Sequence, residues 1–288
     1  MTENLPKITV VTPSYNQAQY LEQTILSVIG QQYPNLEYII MDGGSTDASV
    51  EIIKKYESHV THWQSKKDNG QASAINEGFS LATGDVLCWL NSDDMYLPGT
   101  LLKIGRIFIE TLEPTIVFGN CFHFYENSSK TRGSNVVKRH KELDIAMCDY
   151  IIQPSCFWNR TAQEKVGFLD EKIHYAFDWE WFIRANKVDV HFLPCTEYLS
   201  LYRIHEFHKS GSGGSNRAIE IGEIYKKYTT ENVSKAFLRW NNISSKSKFF
   251  HNLVSVSDKY DLNLVNKSVH RLLFSFVNYK TYRHIVKM

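Results

Sequence analysis

Residues 91–94 present an amide, a hydroxyl and two carboxylates in succession, directly after the apolar run 86–90. That run has the length and composition of a buried strand. Hard divalent ions such as Mg²⁺ and Mn²⁺ prefer oxygen ligands, and a Mg²⁺ site usually needs only one or two protein carboxylates plus substrate phosphates. The segment therefore predicts chemistry on a phosphate-bearing substrate. The alternative is an Asp that only caps a helix before Pro98, because Asp is favoured at helix caps for local reasons.

Alternating apolar runs and helical stretches place residues 91–94 in a layered α/β fold. The predicted strands of the first half lie at residues 8–12, 38–41, 62–65 and 86–90, with helices around 21–28 and at 47–56 and 72–82. Such βαβ units build a parallel sheet covered on both faces, and ligands bind beyond the carboxyl ends of its strands. Ser14, Asp42 and Asp93 each follow a predicted strand, so we expect them to converge on one crevice.

The second half of the chain has a less regular pattern. Its predicted strands lie at residues 116–119, 155–158, 191–193 and 198–204, and its predicted helices at 101–112 and 179–186. Residues 208–216 are rich in Gly and Ser and predict a mobile loop or a linker. We therefore predict a catalytic domain at residues 1–215 and a helical extension at residues 216–288.

The composition is that of a globular protein, since the 288 residues are 43% hydrophobic and can build a substantial core. The five cysteines are odd in number, widely spread and without a CxxC pair. This argues against a disulfide framework or a zinc site and favours a reducing cytosol. No basic region precedes the short N-terminal apolar run, and no stretch approaches 18 uninterrupted apolar residues. We therefore expect a cytoplasmic protein with neither a signal peptide nor a transmembrane helix.

Charge is divided unevenly along the chain. The residues after Asn216 include thirteen Lys and Arg against five Asp and Glu, a net charge of +8, whereas the whole chain carries +1 and the remainder therefore −7. Aromatic and aliphatic residues are interspersed with these cations, which permits peripheral helices on an anionic inner membrane. The alternatives are a helical subdomain that packs on the catalytic domain and a homodimer interface. Nucleic acid binding is not expected, because no recognition motif accompanies the charge.

Two further acidic turns follow predicted strands. Residues 42–47, DGGSTD, include two glycines that permit a turn bringing backbone close to a ligand, although a tight turn with Asp47 as a helix cap explains them equally well. Residues 68–71, DNGQ, form another acidic turn before the next helix. No GxGxxG follows the first strand and no GxxxxGK[ST] occurs, so neither a nicotinamide enzyme nor a P-loop ATPase is supported.

In their order and spacing these motifs resemble the inverting glycosyltransferases of family 2, of the type found in bacterial polysaccharide biosynthesis. The matching segments are TPSYNQ at 12–17, DGGSTD at 42–47, DNGQASAINEGFSLATGD at 68–85, LNSDD at 90–94, QPSCFWNR at 153–160, VGFLDE at 166–171 and FDWEWFIRA at 177–185. The resemblance covers residues 5–210 or so. It implies an α/β fold of the GT-A type, a Rossmann-like nucleotide-binding mixed sheet flanked by helices, here with a helical C-terminal extension.

The resemblance implies a nucleotide-sugar donor and a Mn²⁺ or Mg²⁺ cofactor. Asp42 would contact the base or ribose, assisted by Asp68 and by main chain after the first strand. Asp93 matches the carboxylate of the DxD motif that holds the metal against the diphosphate, but the first acidic position of that motif is Asn91 here. The implied nucleotide-sugar site comprises Thr12, Pro13, Ser14, Asp42, Asp68, Asn91, Ser92, Asp93, His205 and Lys209, with Asp93 and His205 as metal ligands.

Asp178 matches the catalytic base position of the family. A sugar hydroxyl must lose its proton as it attacks the anomeric carbon, and a positioned carboxylate contributes about 10²- to 10⁴-fold to such a step. The alternative is a helix cap, with Glu180 as an acidic residue of the first turn that stabilises the helix by its dipole.

Residues 202–210 offer four cationic or titratable side chains beside the Gly-rich segment: Arg203, His205, His208 and Lys209. In the family a His or basic residue often occupies this position on a loop that closes over the diphosphate, and cationic donors suit phosphate. Trp158, Trp179 and Trp181 are candidates for stacking on an acceptor sugar, but we expect two of the three to be core residues.

Together these observations predict an inverting glycosyltransferase. It would move a sugar from a nucleotide diphosphate, most simply UDP, to a saccharide or lipid-linked acceptor at the cytoplasmic face of the membrane. A sugar-phosphate nucleotidyltransferase is the enzymatic rival, although such enzymes usually begin with a glycine-rich loop that TPSYNQ is not. A non-catalytic saccharide-binding module is the third hypothesis, in which the acidic turns are structural.

Overall fold

A mixed β-sheet organises the first part of the chain, in a computed structural model that describes residues 4–126, 128–206, 209, 213–259 and 262–286. Among these residues the strands are β1 (Ile8–Ser14), β2 (Leu36–Asp42), β3 (His62–Ser65), β4 (Val86–Trp89), β5 (Met95–Tyr96), β6 (Thr115–Tyr125), β7 (Thr131–Gly133), β8 (Cys156–Asn159) and β9 (His191–Ile204). Their order in the sheet is β3-β2-β1-β4-β8-β6-β9-β5, with β7 paired to β6.

Helices connect the strands and cover the sheet. They are α1 (Ala18–Ile29), α2 (Ser49–Lys55), α3 (Gln71–Leu81), α4 (Thr100–Ile109), α5 (Val136–Arg139), α6 (Arg160–Val166) and α7 (Phe177–Lys187), with 3₁₀ turns at Glu57–His59, His140–Glu142 and Gln153–Ser155. Leu21, Ile25 and Val28 of α1 recur at helical spacing and are fully buried against the sheet. On α3, Gly78 lets the helix approach closely, because a Cβ there would lie 2.5 Å from a methyl carbon of Val11.

The strand directions bring the polar turns to one edge of the sheet. β1 is parallel to β2 and β4, and β2 is parallel to β3, so the carboxyl ends of these four strands lie together. β8 runs antiparallel to β4, so its first residue is at that same edge. We call this the carboxyl edge, and the opposite side, where β1, β2 and β4 begin, the amino edge. The predicted convergence of the segments after these strands is confirmed.

The four strands and three helices predicted for the first half are confirmed within a few residues. Residues 191–193 and 198–204 are strand as predicted, but their separation into two strands is wrong, because both belong to one strand, β9, with a register irregularity opposite residues 118–121. Pro194 is tolerated inside β9 because the strand borders only β6 there, and β5 pairs with it further along at Ser200 and Leu201. Strands β5 and β7 and helices α5 and α6 were not predicted.

Contacts divide the chain into two compact units, residues 1–140 with 151–208 and residues 141–150 with 209–288. The second unit contains α8 (Gly214–Tyr228), α9 (Glu231–Lys246), α10 (Lys248–Lys259), α11 (Asn263–Leu273) and α12 (Tyr279–Ile285). A helical C-terminal region is thus confirmed, while the functional boundary after residue 215 stays a prediction. Helix α8 begins within the segment predicted as a loop. None of the described helices has the length and apolar character needed to cross a membrane.

Candidate active site at the carboxyl edge

Asp42 ends β2 and organises the turn that follows it. Its carboxylate is buried and accepts hydrogen bonds from the backbone N–H groups of Gly44 (3.1 Å) and Ser45 (2.9 Å). The hydroxyls of Ser45 and Ser65 donate to it as well, at 2.5 and 2.6 Å. Gly44 has a φ of +81°, the left-handed conformation that favours glycine. These contacts hold the turn in one conformation.

Asp68 lies against the turn of residues 42–47. Its Oδ1 accepts a hydrogen bond from the N–H of Gly70 at 2.8 Å, which shapes the start of α3. Its Oδ2 lies 2.8 Å from the position that a Cβ on Gly43 would occupy. A side chain at residue 43 would therefore displace the Asp68 carboxylate from this position.

The end of β1 lies beside Asp42, because Ser14 and Asp42 are register partners. The Ser14 hydroxyl is buried and has no hydrogen-bond partner among the described residues, and the same holds for the side-chain carbonyl of Gln17. Unsatisfied buried polar atoms are rare and need an explanation, such as a ligand or water. Thr12, in contrast, is fully buried and its hydroxyl is 3.2 Å from the Tyr38 hydroxyl, so its side chain belongs to the core.

Asn91 is held between two glutamines. Its Oδ1 accepts from Gln71 Nε2 at 2.7 Å, and its Nδ2 is 3.5 Å from both Gln153 Oε1 and Asp94 Oδ2. Gln153 in turn donates from Nε2 to the backbone carbonyl of Trp89, which leaves its Oε1 facing Asn91. The amide at residue 91 thus provides an acceptor on one side and a donor on the other, as the neighbours require.

Asp93 and His205 form a close pair. The distance between Asp93 Oδ2 and His205 Nε2 is 3.0 Å, and the side chain of Asp93 is 20% exposed whereas that of His205 is 1% exposed. The His205 ring packs on the ring of Tyr20, with 4.6 Å between centroids. One face of the carboxylate is therefore held by a rigid imidazole and another is open to solvent. Ser92, between Asn91 and Asp93, is buried.

Asp94 is a structural residue. It is 1% exposed, and its Oδ1 accepts the backbone N–H of Arg203 at 3.0 Å. Burial and the neighbouring charge of Asp93 raise the pKa of Asp94 well above its ordinary range. The Arg203 guanidinium also donates to the backbone carbonyl of Asp93 and lies 4.7 Å from the ring of Tyr20. Strand β9 therefore holds the whole 91–94 segment in place.

The helix-cap interpretation of residues 91–94 is wrong. Strand β5 follows the segment, and α4 begins only at Thr100, with Gly99 in the cap position and no side-chain cap hydrogen bond. The two acidic residues are thus positioned by His205 and Arg203 rather than by a helix end.

Asp178 is the second residue of α7, after the cap residue Ala176, so it is not the N-cap. It is partly buried, and its Oδ1 accepts the backbone N–H of Trp179 at 2.8 Å. Burial, Cys88 and the Asp178 charge raise the pKa of the Cys156 thiol. The preceding ring, Phe177, packs 6.2 Å from Trp89 at the end of β4.

The acidic and aromatic neighbours of Asp178 are structural. Glu180 is fully buried and forms an ion pair of 2.9 Å with Arg184, which also donates to the carbonyls of Val166 and Phe168. The expectation that one of the three tryptophans faces an acceptor is wrong, since Trp158, Trp179 and Trp181 are all at most 1% exposed. Asp178 therefore differs from them in being only partly buried.

The sequence model of the family described as "Glycosyl transferase family 2" matches residues 9–188, the region that contains every acidic residue described above. The chain belongs to glycosyl transferase family 2. An uncharacterized glycosyltransferase of Haemophilus influenzae is 32% identical over 94% of this chain and 86% of its own length. The resemblance seen in the motifs is thus confirmed at the level of the family.

Two solved structures confirm the GT-A fold of this glycosyltransferase. One is Staphylococcus aureus TarS 1–349 in complex with UDP-GlcNAc, with a TM-score of 0.59, 16% identity and coverage of 83% of this chain and 73% of that chain. The other is the mannosyltransferase PcManGT of Pyrobaculum calidifontis in complex with GDP-Man and Mn²⁺, with a TM-score of 0.63, 14% identity and coverage of 99% and 86%. At these identities the likeness concerns the fold alone.

The glycosyltransferase offers few protein ligands for a metal ion. Among the described residues no group of three or more His, Cys, Asp or Glu side chains is arranged to hold one. Asp93 and His205 do meet the need of a site completed by a substrate, because one carboxylate and one imidazole leave positions for phosphate oxygens. The donor set therefore fits a divalent ion that binds together with a diphosphate.

Sequence reasoning missed the residues that position the site. Gln71, Gln153 and the serines at 45 and 65 carry no chemistry of their own, and only their contacts with Asn91 and Asp42 reveal them. Gln71, Gln153 and Ser45 lie within the quoted family motifs, which was the available signal, whereas Ser65 lies outside them. Lys209 is exposed and belongs to the second unit, so its role stays a prediction. His208 lies outside the described residues.

Proposed function

We propose that this family 2 glycosyltransferase transfers a sugar, with inversion, from a nucleotide-diphosphate sugar to a saccharide or lipid-linked acceptor in cell-surface polysaccharide biosynthesis. The observation that carries the proposal is the convergence of Asp42, Asp68, Asn91 and the Asp93–His205 pair at one edge of the sheet. The nucleotide sugars in the TarS and PcManGT complexes support a donor of this class, and UDP is the carrier that we favour.

The donor nucleoside binds the turns after β1 and β2. The orphan hydroxyl of Ser14 and the main chain near Pro13 lie beside Asp42, whose carboxylate is already satisfied by the protein. A saturated carboxylate shapes a rigid cradle, and ligands that bind preformed sites lose less free energy to ordering. Asp68, against Gly43, has the more accessible carboxylate for the base or ribose.

Asp93 and His205 would hold Mn²⁺ or Mg²⁺ together with the diphosphate. When bound, the metal neutralises charge that develops on the departing nucleoside diphosphate. The Arg203 guanidinium holds Asp93 in position by donating to the backbone carbonyl of Asp93, and the Tyr20 ring packs on the imidazole of His205. Asn91 and Ser92 belong to the same segment and lie next to the Asp93–His205 pair.

Asp178 is the general base. Asp178 is partly buried at the start of α7, whereas its acidic neighbour Glu180 is fully buried and bound to Arg184. Asp178 takes the proton of the acceptor hydroxyl as that oxygen bonds to the anomeric carbon. The bond from this carbon to the nucleoside diphosphate breaks on the opposite face, so the configuration inverts. A cytoplasmic location, peripheral contact with the inner membrane and a homodimer stay proposals that depend on the acceptor and on the second unit.

Two measurements test the proposal. Thermal unfolding with UDP, GDP, CDP and dTDP, each with and without Mn²⁺, identifies the nucleoside because a specific ligand raises Tm by mass action. Product analysis with the matching nucleotide sugar must then show release of the nucleoside diphosphate. Release of pyrophosphate from a nucleoside triphosphate and sugar phosphate would instead establish a nucleotidyltransferase. A protein that neither binds nor hydrolyses any donor would be a saccharide-binding module.

A further inference from the structure

Helix α10 presents apolar side chains on two faces. Val254 and Ser257 are 1% exposed and form the packed face. Phe249, Leu253 and Val256 follow each other at i, i+4 and i+7, which places them on one side of the helix. They are 79%, 38% and 48% exposed. A helix that needed only to pack within its own unit would place polar residues there.

The neighbouring helix α11 repeats this arrangement. Its packed face contains Asn266 and Val269, whereas Leu264 and Leu272 are 83% and 80% exposed. The exposed leucines are eight residues apart and hence close to one side of the helix, and Lys267 and Arg271 are exposed on that side as well. The solvent face of α11 is thus both apolar and basic.

The charge around these faces is predominantly positive. Residues 246–286 contain seven Lys and Arg, and their acidic residues are Asp258 and Asp261. Lys246 and Lys248 are exposed at the junction of α9 and α10. Single exposed hydrophobic residues are normal on any protein, but large apolar side chains clustered on adjacent helix faces and rimmed by cations mark a binding surface.

We propose that the outer faces of α10 and α11 bind the surface of an anionic lipid bilayer. Leucine and phenylalanine side chains enter the boundary between headgroups and acyl chains, and the cations attract acidic headgroups. The positive charge of these faces is complementary to acidic headgroups, whereas a second copy that paired through the same faces would bring the same positive charge against them. The helices lie on the bilayer and do not cross it, which agrees with their length and composition.

Flotation of the purified full-length protein with phosphatidylglycerol-containing vesicles and with pure phosphatidylcholine vesicles tests this surface. The charge variant is Lys267→Glu with Arg271→Glu, and its matched control is Lys54→Glu with Lys172→Glu, two exposed lysines of the first unit. The apolar variant is Leu264→Ser with Leu272→Ser, and its control is Leu112→Ser, where the leucine is 83% exposed in the first unit. All of these side chains are exposed, and Tm measurements confirm that each variant folds.

We expect binding to the anionic vesicles only. The charge variant should lower the partition coefficient about thirtyfold, since each basic residue near such a surface contributes about 1 kcal/mol. The apolar variant should lower it about tenfold or more. Absence of vesicle binding, or equal losses in variants and controls, would overturn the proposal. The proposal would also be overturned if light scattering without lipid detected a dimer that dissociates only in the α11 variants. Vesicle binding needs no turnover, so this result is independent of the proposed transferase activity.

Discussion

The two edges of one sheet differ in how fully their polar side chains are hydrogen-bonded. At the amino edge, the carboxylate of Glu37 accepts from the Thr9 hydroxyl (2.5 Å) and from the N–H of Thr83 (2.7 Å), and the Arg160 guanidinium donates to the carbonyl of Gly84. At the carboxyl edge, Asp93 keeps one face open to solvent and the buried Ser14 hydroxyl lacks a partner among the described residues. Saturated groups stabilise the fold, and the unsaturated ones are available to a substrate.

The largest effect is expected at Asp178, where a substitution should lower the rate of transfer without changing the stability of the fold. Asp178→Asn keeps the size of the side chain but removes the base, so the rate of transfer should fall by about 10²- to 10⁴-fold. Donor affinity and Tm should remain within error of the parent protein. Steady-state kinetics with calorimetry check this. Retained turnover would show that another group takes the proton.

Asp93→Ala tests the metal-binding half of the same edge. With Mn²⁺ present, donor affinity should fall about a hundredfold, which corresponds to about 2.7 kcal/mol. After chelation with EDTA, the parent and the variant should bind the donor equally. Glu110→Ala, at an exposed glutamate after α4, is the control and should change nothing. Equal donor affinity of the parent protein with and without Mn²⁺ would contradict the metal role.

Glu37 is the matching test at the amino edge. Burial alone would raise its pKa, but hydrogen bonds from Thr83 and Thr9 outweigh burial and hold the pKa below its ordinary value. The stabilisation is therefore present above the unfolded pKa, about 4.3, and is lost as the pH falls through and below it. Glu37→Gln should cost about 2 kcal/mol at pH 7 and much less near pH 3.

Urea unfolding at the two pH values measures the Glu37 effect. Donor affinity at pH 7 should not change, because Glu37 is at the opposite end of β2 from Asp42. A loss of stability that is the same at both pH values would mean that the ionised carboxylate is not what Thr83 and Thr9 stabilise.

The smallest effect is expected at Asn91. This residue lies at the carboxyl edge, but its side chain is fully hydrogen-bonded, as the side chains at the amino edge are. Asn91→Asp restores the acidic residue of the family motif but places a carboxylate oxygen against Gln153 Oε1 and near Asp94. Stability should fall by about 1 kcal/mol without a gain in metal-dependent donor affinity. Asn242→Asp, on the exposed side of α9, is the control. Tighter Mn²⁺-dependent binding in the Asn91 variant would identify residue 91 as a metal ligand.

The sequence predicts the first half of this glycosyltransferase, where the donor site is proposed, better than the remainder. Hydrophobic periodicity and the positions of the strand ends predict that Asp42, Asp68 and Asp93 lie together. The prediction needs only local sequence, because the carboxyl ends of parallel strands meet at one edge of the sheet. The long strand β9 was divided at Pro194, because its continuity depends on which neighbour pairs with it there. The partners of Asn91 were invisible for the same reason, since Gln71 and Gln153 are 20 and 62 residues away in the chain.

The acidic residues of the site show the same limit of prediction from sequence. Asp94 and Asp93 are adjacent in sequence and equal in type, yet one is buried under Arg203 and the other faces solvent. Only the packing of β9 separates them. Residue type alone therefore does not distinguish the two carboxylates, and the family motif selects Asp93, whose metal-binding role stays a prediction.

The missing side chain at Gly43 has a consequence for variation in this family member. Because a Cβ there would lie 2.8 Å from Asp68 Oδ2, substitutions at residues 43 and 68 are not independent. Gly43→Ala should displace the Asp68 carboxylate in the parent protein and be far milder once residue 68 is Ser. The two positions are thus expected to be epistatic, and selection for a new donor nucleotide should change them as a pair.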